Sequence, residues 1–273
     1  MPASAFALAL AAAFLHALWN LLVARARDPE AATAVALAAA VVAFAPVAAL
    51  TWDAEQAVWP FLLGTASLHL TYFVLLAAAY RRAELSLVYP LARGLAPVLV
   101  LVVAVTALGV GTSALQAAAV CLVAVGILLV RGFRGEADGR GVAFGVAIAA
   151  CIAAYTLVDK EGIRHANPIT YLELTTALAA VPYVGGVLAA KGTATVRREA
   201  GPATLVAGLA MFGAYALVLA ALRLAPAAPV AAVRETSIVI ATAGAALVLK
   251  ERLSASRVAG ALLVVVGVVL LGV

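Results

Sequence analysis

Ala119 to Val130 reads AVCLVAVGILLV, and Gly260 to Leu271 reads GALLVVVGVVLL. Gly126 falls on Gly267, a separation of 141 residues. The same separation brings Ser113 onto Ser254, Gln116 onto Arg257, Arg82 onto Arg223 and Arg93 onto Arg234. Self-similarity at a fixed period sets the architecture before any local pattern does. The repeated unit is half of the chain and almost wholly apolar. Two such units predict a protein made of two membrane-embedded halves with a site between them.

Composition agrees. Of the 273 residues, 66% are hydrophobic and 11% charged, against about 45–50% and about 25% in a soluble domain. The apolar residues form blocks of roughly 17–25, the length that crosses the hydrocarbon of a bilayer. No polar block is long enough for a soluble domain. The net charge of +5 therefore does not indicate nucleic acid. Lys and Arg sit in short connections, where they set topology and meet anionic lipid headgroups. The expected partners are membrane lipids and a small-molecule substrate, with the protein a monomer or homodimer and no nucleic acid bound. Cys121 and Cys151 lie inside apolar blocks, and no CxxC or metal-ligand spacing is present. They read as small buried hydrophobes, and neither metal nor cofactor is expected. No basic region precedes the first apolar block, so no cleaved signal peptide is expected.

The fold class predicted is an all-α membrane protein with ten spanning helices. Their expected limits are 3–24, 31–50, 58–80, 85–108 and 113–130, then 141–160, 168–190, 202–223, 227–249 and 255–272. Helices follow because lipid offers backbone groups no partners. The joint Arg131 to Arg140 contains Gly132, Gly135 and Gly139 and reads as the hinge between a first repeat, 1–133, and a second, 134–273. Each repeat has five helices. An odd number forces the second copy to enter the membrane inverted. Near the start of each half the separation is 139: His16-Ala-Leu-Trp19-Asn20 aligns with Tyr155-Thr-Leu-Val158-Asp159, and Asp28-Pro29 with Asn167-Pro168. The drift of two residues implies small insertions. Most Lys and Arg residues fall in odd-numbered connections, which places those in the cytoplasm and both termini outside.

A charge at mid-bilayer costs at least about 2.5–3.5 kcal/mol and needs a reason. Arg93 lies deep in the fourth span, within Tyr89-Pro90-Leu-Ala-Arg93-Gly94-Leu-Ala-Pro97, and Arg234 holds the matched place in the ninth, followed by Glu235. A guanidinium fork suits carboxylate or phosphate, so the pair predicts anion recognition across a central cavity. Pro90, Pro97, Pro226 and Pro229 predict kinked or broken helices around both arginines. His16 and Asn20 share a face of the first span, with Trp19 beside them, and Tyr155 and Asp159 repeat the spacing in the sixth. His69 and Tyr72 are three apart in the third span; Tyr171 and Glu173 follow Pro168 in the seventh. These groups read either as the lining of a wet cavity or as glue between helices, worth about 0.6 kcal/mol per contact. Asp159 and Glu173 also fit the membrane surface, and Glu235 is the deeper candidate for a proton-coupling carboxylate.

Leu249-Lys250-Glu251-Arg252-Leu253-Ser254, followed by Gly260 to Leu271, resembles the ninth-to-tenth helix joint of the drug/metabolite transporter superfamily, in particular its EamA-type ten-helix permeases. His16-Ala-Leu-Trp19-Asn20 resembles that family's aromatic-plus-Asn stretch in helix one. Gly109-Val110-Gly111-Thr112-Ser113, the matched joint in the first half, lacks the acidic residue. The resemblance implies inverted five-helix halves and secondary transport of small metabolites such as amino acids, in the cell (inner) membrane. It also implies cytoplasmic termini, opposite to the Lys and Arg count, so orientation stays open. The function expected is alternating access by one half rocking against the other. No GxxxxGK[ST] indicates ATP hydrolysis. The rivals are a membrane enzyme acting on lipid-linked substrates, which lacks HExxH and GxSxG, and a channel or scramblase.

Overall fold

The computed structural model describes residues 1–83, 85–131, 139–249 and 254–272. The centre of the expected hinge and Lys250 to Leu253 of the family-like joint lie outside the described residues. The elements are α1 (Ala3–Ala24), α2 (Pro29–Leu50), α3 (Trp59–Arg82), α4 (Leu85–Thr106) and α5 (Ala114–Arg131). The second half adds α6 (Gly139–Gly162), α7 (Pro168–Glu199), α8 (Pro202–Leu224), α9 (Ala227–Arg234), α10 (Thr236–Leu249) and α11 (Ala255–Gly272). Eight of these are long and apolar enough to cross a membrane, and Ala114–Val130 is a shorter apolar helix. Helices α9 and α10 are two pieces of one further segment, broken at Glu235. The chain is thus an all-α, ten-segment membrane protein.

Local chemistry explains where several segments begin. Asp28 opens α2 by accepting the Ala31 N–H at 3.0 Å, with Pro29 in the first turn. Asn167 opens α7 in the same way, accepting from Ile169 N at 2.9 Å before Pro168. The aligned Asp-Pro and Asn-Pro are therefore the same device: a side-chain cap, then a residue whose missing N–H costs nothing there. Helix α7 runs beyond its expected end at residue 190, turning at Gly192, whose φ of 76° is open to glycine at little cost.

The halves are related by inversion, and the packing displays it. Helix α1 packs on α8, and its counterpart α6 packs on α3; α4 packs on α6, and α9–α10 on α1. The second segments, α2 and α7, pack on each other, as do the fifth, α5 and α11. The last seam is backbone on backbone. A Cβ on Gly260 would lie 2.5 Å from Val130 N, one on Gly126 would lie 2.7 Å from Gly260 O, and one on Gly267 would lie 2.8 Å from Ala119 O. Small residues permit such close approach between membrane helices. The register pairs high numbers on α5 with low numbers on α11, so these two run antiparallel. A twofold axis lying in the membrane plane requires that.

Both termini occupy one face, where Met1 N donates to Leu271 O at 3.0 Å. On this terminal face the two halves are stitched together. Ala54 and Ala166 form an antiparallel bridge, Glu55 N donates to His165 O and Asn167 N to Asp53 O, each at 2.9 Å. One apolar core spans both halves here, from Ala5 and Val58 through Tyr171 to Val230 and Val268. Toward the opposite face the apolar packing divides. Ala79, Val88 and Ile148 join α3, α4 and α6. Val23, Ala32 and Ala207 join α1, α2 and α8. Ala31, Ala34 and Val187 join α2 and α7. The cavity lies where the single core splits.

Candidate functional site

The cavity has a volume of about 100 Å³. Its walls come from both halves. Of the residues anticipated from sequence, His16, Trp19, His69, Tyr72, Arg93, Tyr155 and Arg234 line it. Asn20 does not; its amide donates to the His16 carbonyl at 2.7 Å, within its own helix. Tyr89 stands behind Arg93, its ring centroid 6.0 Å from the guanidinium carbon. Asp159 and Glu235, both fully buried, lie outside the lining.

The two arginines arrive from matched helices but are held differently. Arg93 Nε lies 2.8 Å from Glu235 Oε2. That N–H makes no hydrogen bond, so the contact is an ion pair by distance without aligned hydrogen-bond geometry. Arg93 Nη2 lies 2.9 Å from His16 Nε2. Arg234 Nη2 is 3.6 Å from Glu235 Oε1, and neither its Nε nor its Nη2 has a hydrogen-bond partner among the described residues. Two guanidinium groups therefore share one carboxylate, leaving one positive charge in excess. A buried cation that lacks donor partners is costly, and an acceptor-bearing ligand would relieve that cost.

His16 adds to the surplus of donors. Its Nδ1 lies 3.2 Å from the Trp19 indole N–H, and its Nε2 faces Arg93. Both neighbours can only donate, while a neutral imidazole accepts at one nitrogen only. The ring therefore serves one of them at a time, and the other N–H is left toward the cavity. The remaining wall is aromatic. His69 lies 4.4 Å from Tyr155 and 5.6 Å from Tyr215, centroid to centroid, and Tyr155 lies 6.0 Å from Tyr215.

Asp159, one of the two carboxylates that also fitted the membrane surface, is fully buried among α3, α7 and α8. Thr65 Oγ donates to its Oδ1 at 2.5 Å and Tyr171 OH to the same oxygen at 2.9 Å; Tyr215 OH donates to Oδ2. Glu173 is buried as well, and its Oε2 has no hydrogen-bond partner among the described residues. The prolines act less than expected. Pro90 and Pro97 lie within α4 without ending it, and Pro226 and Pro229 stand at the start of α9. The break falls instead at Glu235, where N–H groups reach back three residues: Glu235 N to Ala232 O and Ile238 N to Glu235 O. Reasoning from sequence missed Tyr215. The signal was a hydroxyl in mid-span, one turn after Met211-Phe212, all three of which line the cavity.

A ten-segment bundle of inverted halves around a central cavity defines a multi-pass membrane protein. Residues 139–273 match the model of the EamA-like transporter family, a family of drug/metabolite-type membrane transporters. A solved structure described only as a crystal structure of a protein superposes with a TM-score of 0.76, over 98% of this chain and 96% of its own, at 15% identity. At that identity the likeness shows the fold alone. No curated protein matches the sequence.

Proposed function

We propose that the chain is a secondary transporter of a small metabolite bearing a carboxylate or phosphate, such as an amino acid or a related compound, in the cell inner membrane. The observation that carries the reading is Arg234, a buried cation in the cavity wall whose Nε and Nη2 have no hydrogen-bond partner among the described residues. Arg93, Trp19 and His16 supply further donors, and Tyr72, Tyr155, Tyr215 and Phe212 supply faces for an apolar part of the solute. Tyr89 and Glu235 hold the arginines in place, and the chain carries out no chemistry on its solute.

Alternating access is the mechanism that fits this packing. The core is continuous at the terminal face and divided at the other, so the cavity opens away from the termini. The natural moving bodies mix the halves: α3, α4 and α6 form one, and α1, α8 and α9 its inverted counterpart. Inward and outward states then differ by exchanging which face is sealed.

Purified protein should melt higher with glutamate, a dicarboxylate or inorganic phosphate, because a ligand of the folded state stabilises it by mass action. Arg234→Met should fold and lose that response, and in proteoliposomes it should lose counterflow of the responding solute. A response confined to cationic solutes, or an unchanged response in Arg234→Met, would refute the reading. Product formation without solute movement would favour the membrane enzyme.

A further inference from the structure

Asp159 is the buried acid that the anion-binding reading leaves unused. It sits one turn before the end of α6, with no ion pair to any described cation. The titratable groups nearest it are Tyr155 and Lys160 on α6, Tyr171 on α7, Tyr215 on α8 and Arg234 on α9, with His69 of α3 beyond them against Tyr155 and Tyr215. Lys160 turns away, its ammonium bonded to the Leu222 and Ala225 carbonyls. Arg234 pairs with Glu235 and makes no ion pair with Asp159. Asp159 is thus held by hydroxyls alone, in contrast to Glu235 between its two arginines.

Three hydroxyl donors stabilise an ionised carboxylate, while complete burial without a cation favours the neutral acid. The balance rests on the donors, and one of them is exposed to events in the cavity. The Tyr215 ring lines the cavity against His69 and Tyr155 while its hydroxyl reaches Asp159. Tyr171 leads the other way. Its hydroxyl lies 2.9 Å from Thr65 Oγ and 3.4 Å from the Phe61 carbonyl. The Phe61 ring stacks on His165, whose imidazole pairs with Glu55 at the terminal face. Gly162 makes this possible, since a Cβ there would lie 2.5 Å from the Tyr171 ring. Asp159 therefore stands between the cavity and the sealed terminal face, in hydroxyl contact toward both.

We infer that Asp159, with Thr65, Tyr171 and Tyr215, is a proton-binding site whose affinity is set from the cavity wall by Tyr215. The inference rests on the transport reading for its purpose, as the point where a proton gradient couples to solute movement. The step is a simple one: the carboxylate takes up a proton from water, and one donor hydroxyl gives up its bond to Asp159.

Infrared titration of the purified protein tests it without any solute. A protonated-carboxyl band should appear and vanish with pH in the wild type. It should be absent from Asp159→Asn and retained in Glu235→Gln. Tyr215→Phe should move its midpoint upward by about one pH unit, because a donor to the charged form is lost. Should Asp159→Asn fail to fold, the Tyr215→Phe shift alone decides. A band untouched by Asp159→Asn, or a midpoint unmoved in Tyr215→Phe, would overturn the inference. So would a midpoint that follows sodium against choline, which would make the site a sodium site. These outcomes do not depend on whether the anion screen succeeds, so the two readings fail separately.

Discussion

The fourth segment of the first half and its counterpart in the second carry an arginine at the same place, and the two arginines live in different circumstances. Helix α4 is continuous, and Arg93 in it is paired with Glu235 and His16. The counterpart is broken into α9 and α10, and Arg234 at the break has Nε and Nη2 without hydrogen-bond partners among the described residues, its Nη2 lying 3.6 Å from Glu235 Oε1. The residue after the arginine makes the difference. In the first half it is Gly94, where a Cβ would lie 3.3 Å from the Ala124 carbonyl, a tight approach to α5. In the second it is Glu235, the counter-charge for both arginines. Inverted repeats place equivalent groups face to face, and a single substitution then lets one anchor the site while the other stays available.

The comparison can be broken by removing what the two share. Glu235→Ala leaves two buried guanidinium groups without an anion. The expected loss is about 3–5 kcal/mol, seen as a collapse of the detergent melting temperature. Arg93→Met should cost less, about 2 kcal/mol, the worth of its charged contacts, because Arg234 remains to neutralise Glu235. His16→Phe, which removes the acceptor of Arg93 Nη2, should cost about 1 kcal/mol in the same assay. Arg234→Met sharpens the contrast. Burying a cation whose donors lack hydrogen bonds is costly, so its melting temperature should stay level or rise while the anion response disappears, the trade of stability for function expected at a binding site. If Arg93→Met and Arg234→Met destabilise equally, the asymmetry is wrong.

The smallest effect lies outside the cavity. Burial alone would raise the Asp28 carboxyl, but bonds from Lys191 Nζ and the Ala31 N–H outweigh it and hold the group below its ordinary range. Lys191 reaches both Asp28 oxygens at 2.7 Å. A depressed acid stabilises the fold above its unfolded value and loses that contribution as pH falls through the folded one. The wild type should therefore soften in mild acid slightly more than Lys191→Met, by melting temperature against pH.

The segments were legible because lipid removes every alternative to the helix, and the inversion followed from the odd count. The arginines were legible because a mid-span charge needs a reason. The seven expected residues that line the cavity were recognisable as polar or aromatic groups recurring at helical spacing. Other features left weaker marks. Asp159 precedes Lys160-Glu161 and looks like a membrane-surface acid; only the fold reveals α7 and α8 closing over it. Tyr215 carries no charge to flag it. The break at Glu235 has no proline at it, while Pro90 and Pro97 sit inside an unbroken helix, so the prolines pointed to the wrong places. The packed groups α3–α4–α6 and α1–α8–α9 are composites of both halves, a property of contacts between distant residues that no local pattern records.

The glycine seam between α5 and α11 has a consequence of its own. Gly126 and Gly267 are equivalent residues, and each seats its backbone against the other's helix. The seam is isologous, one patch serving as both surfaces of the joint. A half-length chain able to thread the bilayer in either sense would carry a self-complementary joint on a single helix. Holding both copies in one chain fixes their stoichiometry and lets the two arginine positions differ.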